Sequence, residues 1–235
     1  MLNLNLNSLV KTKTIYIKYN LNKISLNFKL NQLNATYTLY ILDLINILNS
    51  LIKIYLYLYK CSKFKRKILF ISSCPSQSFL VKKSAIFSSN YHLIGRWKVG
   101  ILTNWNIFKK QLYIYKWLEY IFLFKLNFIN ILFYNSPYIK SLYVLYLKLK
   151  MKYSGIKNLQ ILPENIFILD IKKDIIALKE SKKLKKKIIS IVPIITKKTS
   201  QSYVSCKILS NNTTYKTIEF ILNILTTALI HGTLK

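Results

Sequence analysis

Short runs of apolar, β-favouring residues alternate along the chain with longer segments in which apolar residues recur every three or four positions. The short runs predict strands, and the longer segments predict helices packed against them. The strands are expected at residues 37–42, 67–72, 91–94, 166–170 and 188–192, with an edge strand at 207–209. Repeated strand-helix-strand units require a parallel sheet with helices on both faces, so the predicted fold class is α/β.

Three helical segments have features that predict how they pack. The first is expected after Asp43, as its cap, with a core-facing stripe of Ile45, Leu48, Ile52, Tyr55, Leu56 and Tyr59. The second starts near Pro75 and carries Phe79, Lys82, Lys83 and Ile86. The last starts near Asn212, with Gly232 as its C-cap and a core face of Ile218, Ile221, Leu222, Leu225 and Leu229.

One region interrupts this alternation. Residues 106–153 contain no strand signal, only two long helical patterns separated by Asn-Ser-Pro, which predicts a helical hairpin inserted between two strands. We therefore expect a poorly determined N-terminal extension over 1–34, an α/β domain over 35–105 and 154–235, and the hairpin over 106–153. The α/β domain should hold a flavodoxin-like or Rossmann-like parallel sheet.

The charge balance requires an anionic partner. The 235 residues include 37 Lys and Arg but only 7 Asp and Glu, a formal net charge of +30. The cations cluster in every predicted element, at 63–67, 82–83, 96–98, 109–110, 148–152, 172–173, 182–187 and 197–198. This spread fits contact with several nucleic-acid segments better than a single basic tail, and lysines neutralise phosphates without reading much sequence.

The apolar content of 52% and the mean hydropathy of +0.24 raise the question of a membrane. Much of this content reflects amino acids with A/T-rich codons, such as Ile, Phe, Tyr and Asn, and no signal peptide is expected at the amino terminus. The segment 117–134 is nearly long enough to span, but it contains Glu119 and Lys125, and each central charge costs about 2.5 to 3.5 kcal/mol. A small basic membrane-associated protein anchored through 117–134 is the alternative interpretation.

The sequence predicts no enzyme. Its four glycines form neither GxGxxG nor GxxxxGK[ST], and the predicted strand at 67–72 is followed by Ser-Cys-Pro-Ser. A degenerate nucleotide-binding enzyme would need such a phosphate loop. Asp170 is interpreted as a helix cap or loop anchor, and His92 as a surface or partly buried histidine. The three cysteines have no zinc-binding spacing. We expect no catalytic residue, cofactor, metal or small-molecule substrate.

The most specific segment is RWKVGILTNW, residues 96–105. It resembles the R-W-L-G-G-x-L-T-N-W signature of the bacterial-type small ribosomal subunit protein 2 family. KILFIS (67–72) and YTLYILDL (37–44) resemble that family's ILFVGT strand and I-H-I-I-D-L entry. LPENIFILDIKKDIIALKES (162–181) resembles its L-P-D-x-x-F-V-I-D-x-x-x-E-x-x-A-x-K-E-A block, with matches at Pro163, Asp170, Ala177, Lys179 and Glu180. The resemblance runs from about residue 37 to residue 232.

The chain also departs from the family pattern. Val99 replaces the first glycine of the signature, residues 191–195 and 208–213 replace two further motifs, and the amino-terminal F-G-H motif is missing. The resemblance implies a structural component of an organellar small ribosomal subunit, bound to small-subunit rRNA and neighbouring ribosomal proteins. The organelle is expected to be a plastid resembling an apicoplast, with a mitochondrion as the alternative.

The residues expected to contact rRNA lie around the signature and on the two helices beside it. They are Arg96, Trp97, Lys98, Asn104, Lys109, Lys110, Lys82 and Lys83. Trp97 is also expected to fix the loop that orients the hairpin, and Thr103 and Asn104 to serve as polar caps. The aromatic residues of the hairpin are interpreted as helix packing or protein contact first, and base stacking second.

Overall fold

The computed structural model describes residues 16–20, 37–41, 44–125, 136–193, 198–210, 212 and 214–234. In this part of the chain the strands are β1 (Tyr16–Asn20), β2 (Tyr37–Ile41), β3 (Ile68–Ser72), β4 (Tyr91–Ile94), β5 (Asn165–Ile168), β6 (Lys187–Val192) and β7 (Cys206–Leu209). Strands β3 to β7 form one parallel sheet in the order β4-β3-β5-β6-β7. The predicted α/β class and parallel sheet are confirmed.

Helices flank this sheet. They are α1 (Leu44–Lys63), α2 (Pro75–Phe87), α3 (Trp105–Tyr120), α4 (Pro137–Tyr153), α5 (Ile175–Lys183), α6 (Lys198–Gln201) and α7 (Tyr215–Thr233). Alternate side chains of β3 enter two separate hydrophobic clusters, one on each face of the sheet. We call them the Phe70 cluster and the Leu69 cluster, after the β3 residue that each contains. Helices α1, α2 and α7 pack on the Phe70 cluster, and α3, α4 and α5 on the Leu69 cluster. Because both faces are covered, β3 and β5 are buried along their whole length.

The first predicted strand, residues 37–42, lies outside the main sheet. β2 pairs antiparallel with β1, with Tyr16 opposite Ile41 and Asn20 opposite Tyr37. The expectation that this strand begins the parallel series is therefore wrong. Its apolar residues suit a strand in either kind of sheet, and its partner lies within the stretch 1–34 for which the sequence predicted no element. Asp43, the predicted cap of α1, is outside the described residues.

α1 buries a different face from the predicted one. Its core face comprises Ile47, Leu51, Ile54 and Leu58. Of the six predicted core residues, Ile45, Ile52 and Leu56 are exposed and the other three are half-buried. The helix carries apolar residues on more than one side, so two stripes with the same helical spacing can be drawn. The stripe that packs along α7 is the buried one. Tertiary contact, and not periodicity, therefore determines which face of α1 is buried.

α7 buries the five predicted core residues, but Gly232 is not its C-cap. The helix continues through Thr233, and Gly232 lies where α7 meets the end of α1. A Cβ at this position would stand 2.5 Å from the Tyr59 carbonyl oxygen and 2.7 Å from Ser62 Cβ. The Ser62 hydroxyl donates to the Leu229 carbonyl at 2.5 Å across the same contact. The glycine therefore permits two helices to approach closely.

α3 and α4 pack against each other through aromatic rings. The Tyr115 and Tyr146 rings stack with centroids 6.1 Å apart, and Phe108 meets Tyr153 edge-on at 4.9 Å. A π-helical turn, residues 121–125, continues α3, and a 3-10 turn, residues 154–156, follows α4. The two helices lie where the sequence predicts the inserted hairpin. Residues 126–135 between them are outside the described part of the chain.

The alternative interpretation concerns the segment 117–134, of which only residues 117–125 are described. Among the described residues, no helix combines the length and the apolar character needed to cross a membrane.

The contact at Gly232 can be tested by substitution. Gly232→Ala should lower the free energy of unfolding by about 1 to 3 kcal/mol, because the added methyl group overpacks the α1–α7 contact. Urea unfolding of the purified chain measures this change. Asn223→Ala, at an exposed position of the same helix, is the matched control and should stay within about 0.5 kcal/mol of the wild type. Equal stability of the two variants would contradict a required close approach at Gly232.

Candidate nucleic-acid interface

The loop between β4 and α3, residues 95–104, is organised by one buried carboxylate. Glu180 of α5 is only 7% exposed, and its two oxygens accept four N–H groups from this loop. The donors are the Trp97 indole at 3.3 Å and the backbone N–H groups of Gly100, Leu102 and Thr103 at 2.7, 3.0 and 3.4 Å. In the described part of the chain no Lys or Arg forms an ion pair with Glu180. A buried carboxylate without a cation depends on its hydrogen bonds, so the loop and α5 stabilise each other.

Two glycines give this loop its backbone path. Gly95 has a φ of +89° and Gly100 a φ of +90°, a region that residues with a Cβ rarely adopt. Gly95 follows β4 directly, and Gly100 turns its N–H toward Glu180. Val99 does not have a left-handed φ, and its side chain is 78% exposed. The valine that departs from the resembled signature therefore fits this loop without backbone strain.

Trp97 lies inside the protein. Its side chain belongs to the Leu69 cluster, and its N–H is committed to Glu180. A ring that is 7% exposed offers little surface for a base to stack on, so the burial of Trp97 counts against its predicted contact with RNA. The geometry favours its other predicted role, fixing the loop. Asn104 precedes α3 as expected, but its side chain makes no capping hydrogen bond, so the polar-cap interpretation of Asn104 is wrong.

A second buried carboxylate, that of Asp174 after β5, bonds to Ser73 at the end of β3. Asp174 accepts the Ser73 backbone N–H at 3.2 Å and the Ser73 hydroxyl, which also lies 3.1 Å from the Gly95 carbonyl oxygen. Burial raises the pKa of Asp174, while the hydrogen bonds from Ser73 lower it. Ser73 and Asp174 thus bond to each other at the carboxyl edge between β3 and β5, where doubly wound enzymes bind nucleotides. Asp170 nearby accepts the Lys172 backbone N–H at 2.9 Å, as expected of a loop anchor.

The structure brings three predicted RNA-binding cations to adjoining pockets. Arg96 and Lys98, both exposed, line a cleft of about 480 Å³ between the β4–α3 loop and the end of α4. Lys82 of α2 lines a small pocket that shares Ile94 and Lys152 with this cleft. We call the two pockets together the hairpin-base cleft.

The other predicted cations lie elsewhere. Lys83 lines a separate groove between α2 and α7. Lys110 is exposed and Lys109 half-buried on α3, and neither lines the hairpin-base cleft. Asn104 is exposed beside Lys98 in another shallow pocket at the start of α3. The predicted contact residues therefore form one group at the base of the hairpin and scattered positions around it.

Sequence reasoning did not assign Met151 and Lys152 to this site. Lys152 belongs to the lysine cluster at 148–152, but it lies far along the chain from Arg96. The predicted topology could have indicated this proximity, because an inserted hairpin leaves the domain and returns to it at neighbouring points. Residues at the end of the second helix should therefore lie beside those that precede the first.

His92 is buried in β4 beneath this cleft. Its Nδ1 atom has no hydrogen-bond partner in the described residues, and the imidazole packs directly against Gly155. Burial, together with the nearby positive charge of Lys82, lowers the pKa of His92 to about 4. The ring is therefore neutral at physiological pH. The sequence predicted a surface or partly buried histidine, but the His92 side chain is only 7% exposed. It lies at one of the two buried positions of β4.

Comparison with known proteins shows which family the chain belongs to. A family model described as ribosomal protein S2 matches residues 31–232. The chain belongs to the ribosomal protein S2 family. This match covers the parallel sheet, both hairpin helices and the loop organised by Glu180, and it confirms the resemblance read from the motifs.

Named relatives of the S2 family support the same assignment. The chain is 38% identical over 192 residues to "small ribosomal subunit protein uS2c" of Toxoplasma gondii, covering 80% of this chain and 79% of that protein. It is 27% identical over 194 residues to the uS2c protein of Phaeodactylum tricornutum, covering 83% of each. Identity to the uS2 protein of Borreliella afzelii is 27% over 195 residues, covering 83% of this chain and 71% of the relative.

The role of Glu180 can be tested by removing its acceptor oxygens. Glu180→Ala should lower the free energy of unfolding by about 3 kcal/mol, because four N–H groups lose their partner and two of these bonds, from Trp97 and Leu102, are buried. Glu180→Gln keeps one acceptor oxygen and should lose less. Urea unfolding measures both, and amide hydrogen exchange should show faster exchange at residues 97–103.

Glu164→Gln is the matched control for Glu180. Its carboxylate is exposed and pairs with Arg66 at 3.1 Å, so its loss should change stability by no more than about 1 kcal/mol. A loss in Glu180→Ala no larger than that of this control would refute the organising role of Glu180.

The lowered pKa of His92 predicts a loss of stability in mild acid. The unfolded chain takes up a proton near pH 6.5 while the folded chain does so only near pH 4, so stability is full above pH 6.5 and falls as the pH drops toward 4. Between pH 7 and pH 5 this contribution should amount to about 2 kcal/mol. Urea unfolding across this range should show a shallower decline for His92→Gln. An unchanged decline in that variant would contradict the assignment to His92.

Proposed function

We propose that this chain is a structural constituent of the small subunit of a plastid-type ribosome, where it binds small-subunit rRNA and neighbouring ribosomal proteins. The observation that carries the proposal is the S2-family match over residues 31–232. The names of the Toxoplasma and Phaeodactylum relatives support a plastid over the alternative, a mitochondrion. The chain acts in translation by bracing the ribosome, and no catalytic step, cofactor or small-molecule substrate is part of this role.

The use of the acidic residues supports an RNA partner. Of the seven carboxylates, five are engaged within the chain: Glu119, Glu164, Asp170, Asp174 and Glu180. Two of these, Asp174 and Glu180, are buried. With Asp174 and Glu180 inside the protein, at most five of the seven carboxylates remain near the surface to neutralise 37 Lys and Arg. RNA phosphates supply the missing negative charge through contacts that depend little on base sequence.

The proposed rRNA contacts comprise a group at the base of the hairpin and further positions on α2 and α3. They are Arg96, Lys98, Asn104, Lys109, Lys110, Lys82 and Lys83. Trp97 is a positioning residue, because its N–H bond to Glu180 fixes the loop that carries Arg96 and Lys98. The α/β domain over 35–105 and 154–235 acts as the rigid base, and the hairpin over 106–153 as its projecting arm.

The arm is proposed to contact neighbouring ribosomal proteins in addition to RNA. Three aromatic side chains of α3 are more than half exposed: Tyr113, Trp117 and Tyr120. Exposed aromatic residues of this size are enriched in protein interfaces, where they bury large areas with little loss of side-chain entropy.

Fractionation tests this proposal against the membrane alternative. An epitope-tagged copy expressed in the native organelle should sediment with small ribosomal subunits in a sucrose gradient, and high salt should release it because its RNA contacts are electrostatic. Alkaline carbonate should leave the chain in the supernatant. Retention in the carbonate-washed membrane pellet, with none in small subunits, would overturn the proposal in favour of a membrane anchor.

A further inference from the structure

We propose that the hairpin-base cleft binds backbone phosphates of RNA and that the bound phosphates bridge the two ends of the inserted hairpin. This inference rests on the proposed function and deepens it, because it assigns a phosphate-binding position and adds Lys152 to the contacts. The larger pocket is lined by Ile94, Gly95, Arg96, Trp97, Lys98, Met151 and Lys152. The smaller one adds Lys82, His92, Ser154 and Gly155.

The cleft concentrates positive charge. Arg96, Lys98, Lys152 and Lys82 line it, and no carboxylate is among the lining residues. None of these four cations has an ion-pair partner in the described residues. Glu180, the carboxylate that binds the loop of Arg96 and Lys98, is buried, and its two oxygens already accept four N–H groups. Four cations that converge without a counter-ion repel one another, and an anion between them removes that repulsion.

The walls of the cleft are held in place before any ligand binds. On one side, Glu180 fixes the loop that carries Arg96 and Lys98. On the other side, the backbone after α4 lies directly on β4, since a Cβ at Gly155 would collide with His92. Preorganised cations bind an anion more strongly, because they lose less conformational freedom on binding.

The size and the lining of the cleft suit a nucleic-acid backbone. The larger pocket, about 480 Å³, is within the range of roughly 300 to 1,000 Å³ found for ligand-binding clefts. Met151 is 76% exposed and gives one wall an apolar surface for a ribose or base next to the phosphates. Helix α4 presents its carboxyl end here, where the helix dipole is negative, and Lys150 and Lys152 in its last turn offset that charge.

The position of the cleft gives phosphate binding a mechanical consequence. Arg96 and Lys98 lie in the loop that leads from β4 into α3, whereas Met151 and Lys152 lie in the last turn of α4. A phosphate held between them joins the entry and the exit of the hairpin. RNA binding should therefore restrain the angle between the hairpin and the sheet. Lys109 and Lys110, which lie on α3 alone, cannot have this effect.

Binding of the full-length chain to an in vitro transcript of plastid small-subunit rRNA tests the inference. The variant Arg96→Gln/Lys152→Gln removes one cation from each wall. The control Lys53→Gln/Lys216→Gln removes two exposed lysines from α1 and α7, on the opposite face of the sheet. Filter binding at several KCl concentrations gives the affinity and its salt dependence, and urea unfolding verifies that each variant is folded.

The cleft variant should bind about tenfold or more weakly, and the slope of log affinity against log salt should become shallower by about 1.5 to 2, for two lost phosphate contacts. The control should lose less than about threefold. The charge-preserving variant Arg96→Lys/Lys152→Arg should bind like the wild type. On RNA binding, amide exchange should slow at 96–103 and at 150–156 in the wild type but not in the cleft variant.

The outcomes separate the cleft from the proposed function. Equal losses in the cleft variant and the control would overturn the cleft proposal, because binding would then depend on diffuse charge, while rRNA binding itself would stand. Protection of only one end of the hairpin in the wild type would overturn the bridging role. Absence of rRNA binding by the wild-type chain would overturn the proposed function together with the inference.

Discussion

The carboxylate of Glu180 is the interaction on which the rest of this interface depends. Its charge is buried in α5, and four N–H groups from one loop stabilise it. A group of this kind tolerates little rearrangement, because withdrawing a buried N–H, such as that of Trp97 or Leu102, leaves both partners unsatisfied. The loop therefore has one low-energy path, and α3 begins where that path ends. The direction of the hairpin follows from a hydrogen-bond set in the α/β domain.

The chain separates its charges by sign. Two of its few carboxylates lie inside, where they order loops by accepting N–H groups, and none of the lysines whose burial the structure describes is buried. These buried carboxylates order the loops through N–H groups, and neither forms an ion pair with a Lys or Arg of the described residues. This explains how a protein with a charge of +30 keeps an ordinary apolar core on both faces of its sheet. The self-repulsion of the surface is relieved only by an external polyanion.

The features that the sequence predicts well are those set by local pattern. The buried strands follow from runs such as ILFIS, whose apolar residues are consecutive because both sheet faces are covered. The errors occur where the local sequence allows two arrangements equally well and a tertiary contact selects one of them. Ile52 and Leu51 of α1 have equally good helical periodicity, yet only Leu51 meets α7. Gly232 has the composition of a C-cap, but its missing side chain serves a helix crossing. The sequence suggests that Trp97 stacks on RNA bases, but its indole N–H donates to Glu180, which lies far along the chain.

The hairpin-base cleft lies beyond sequence prediction for a related reason. Arg96 and Lys98 belong to a recognisable signature, whereas Lys152 is one lysine in a helix that has several. Only the closure of the insertion on itself brings these residues together. That closure also concentrates cations at the point where the hairpin leaves the sheet, and the hairpin acts on its surroundings through that point. A phosphate bound there contacts residues next to both ends of the insertion, so the base is where it restrains the angle between the hairpin and the sheet most directly.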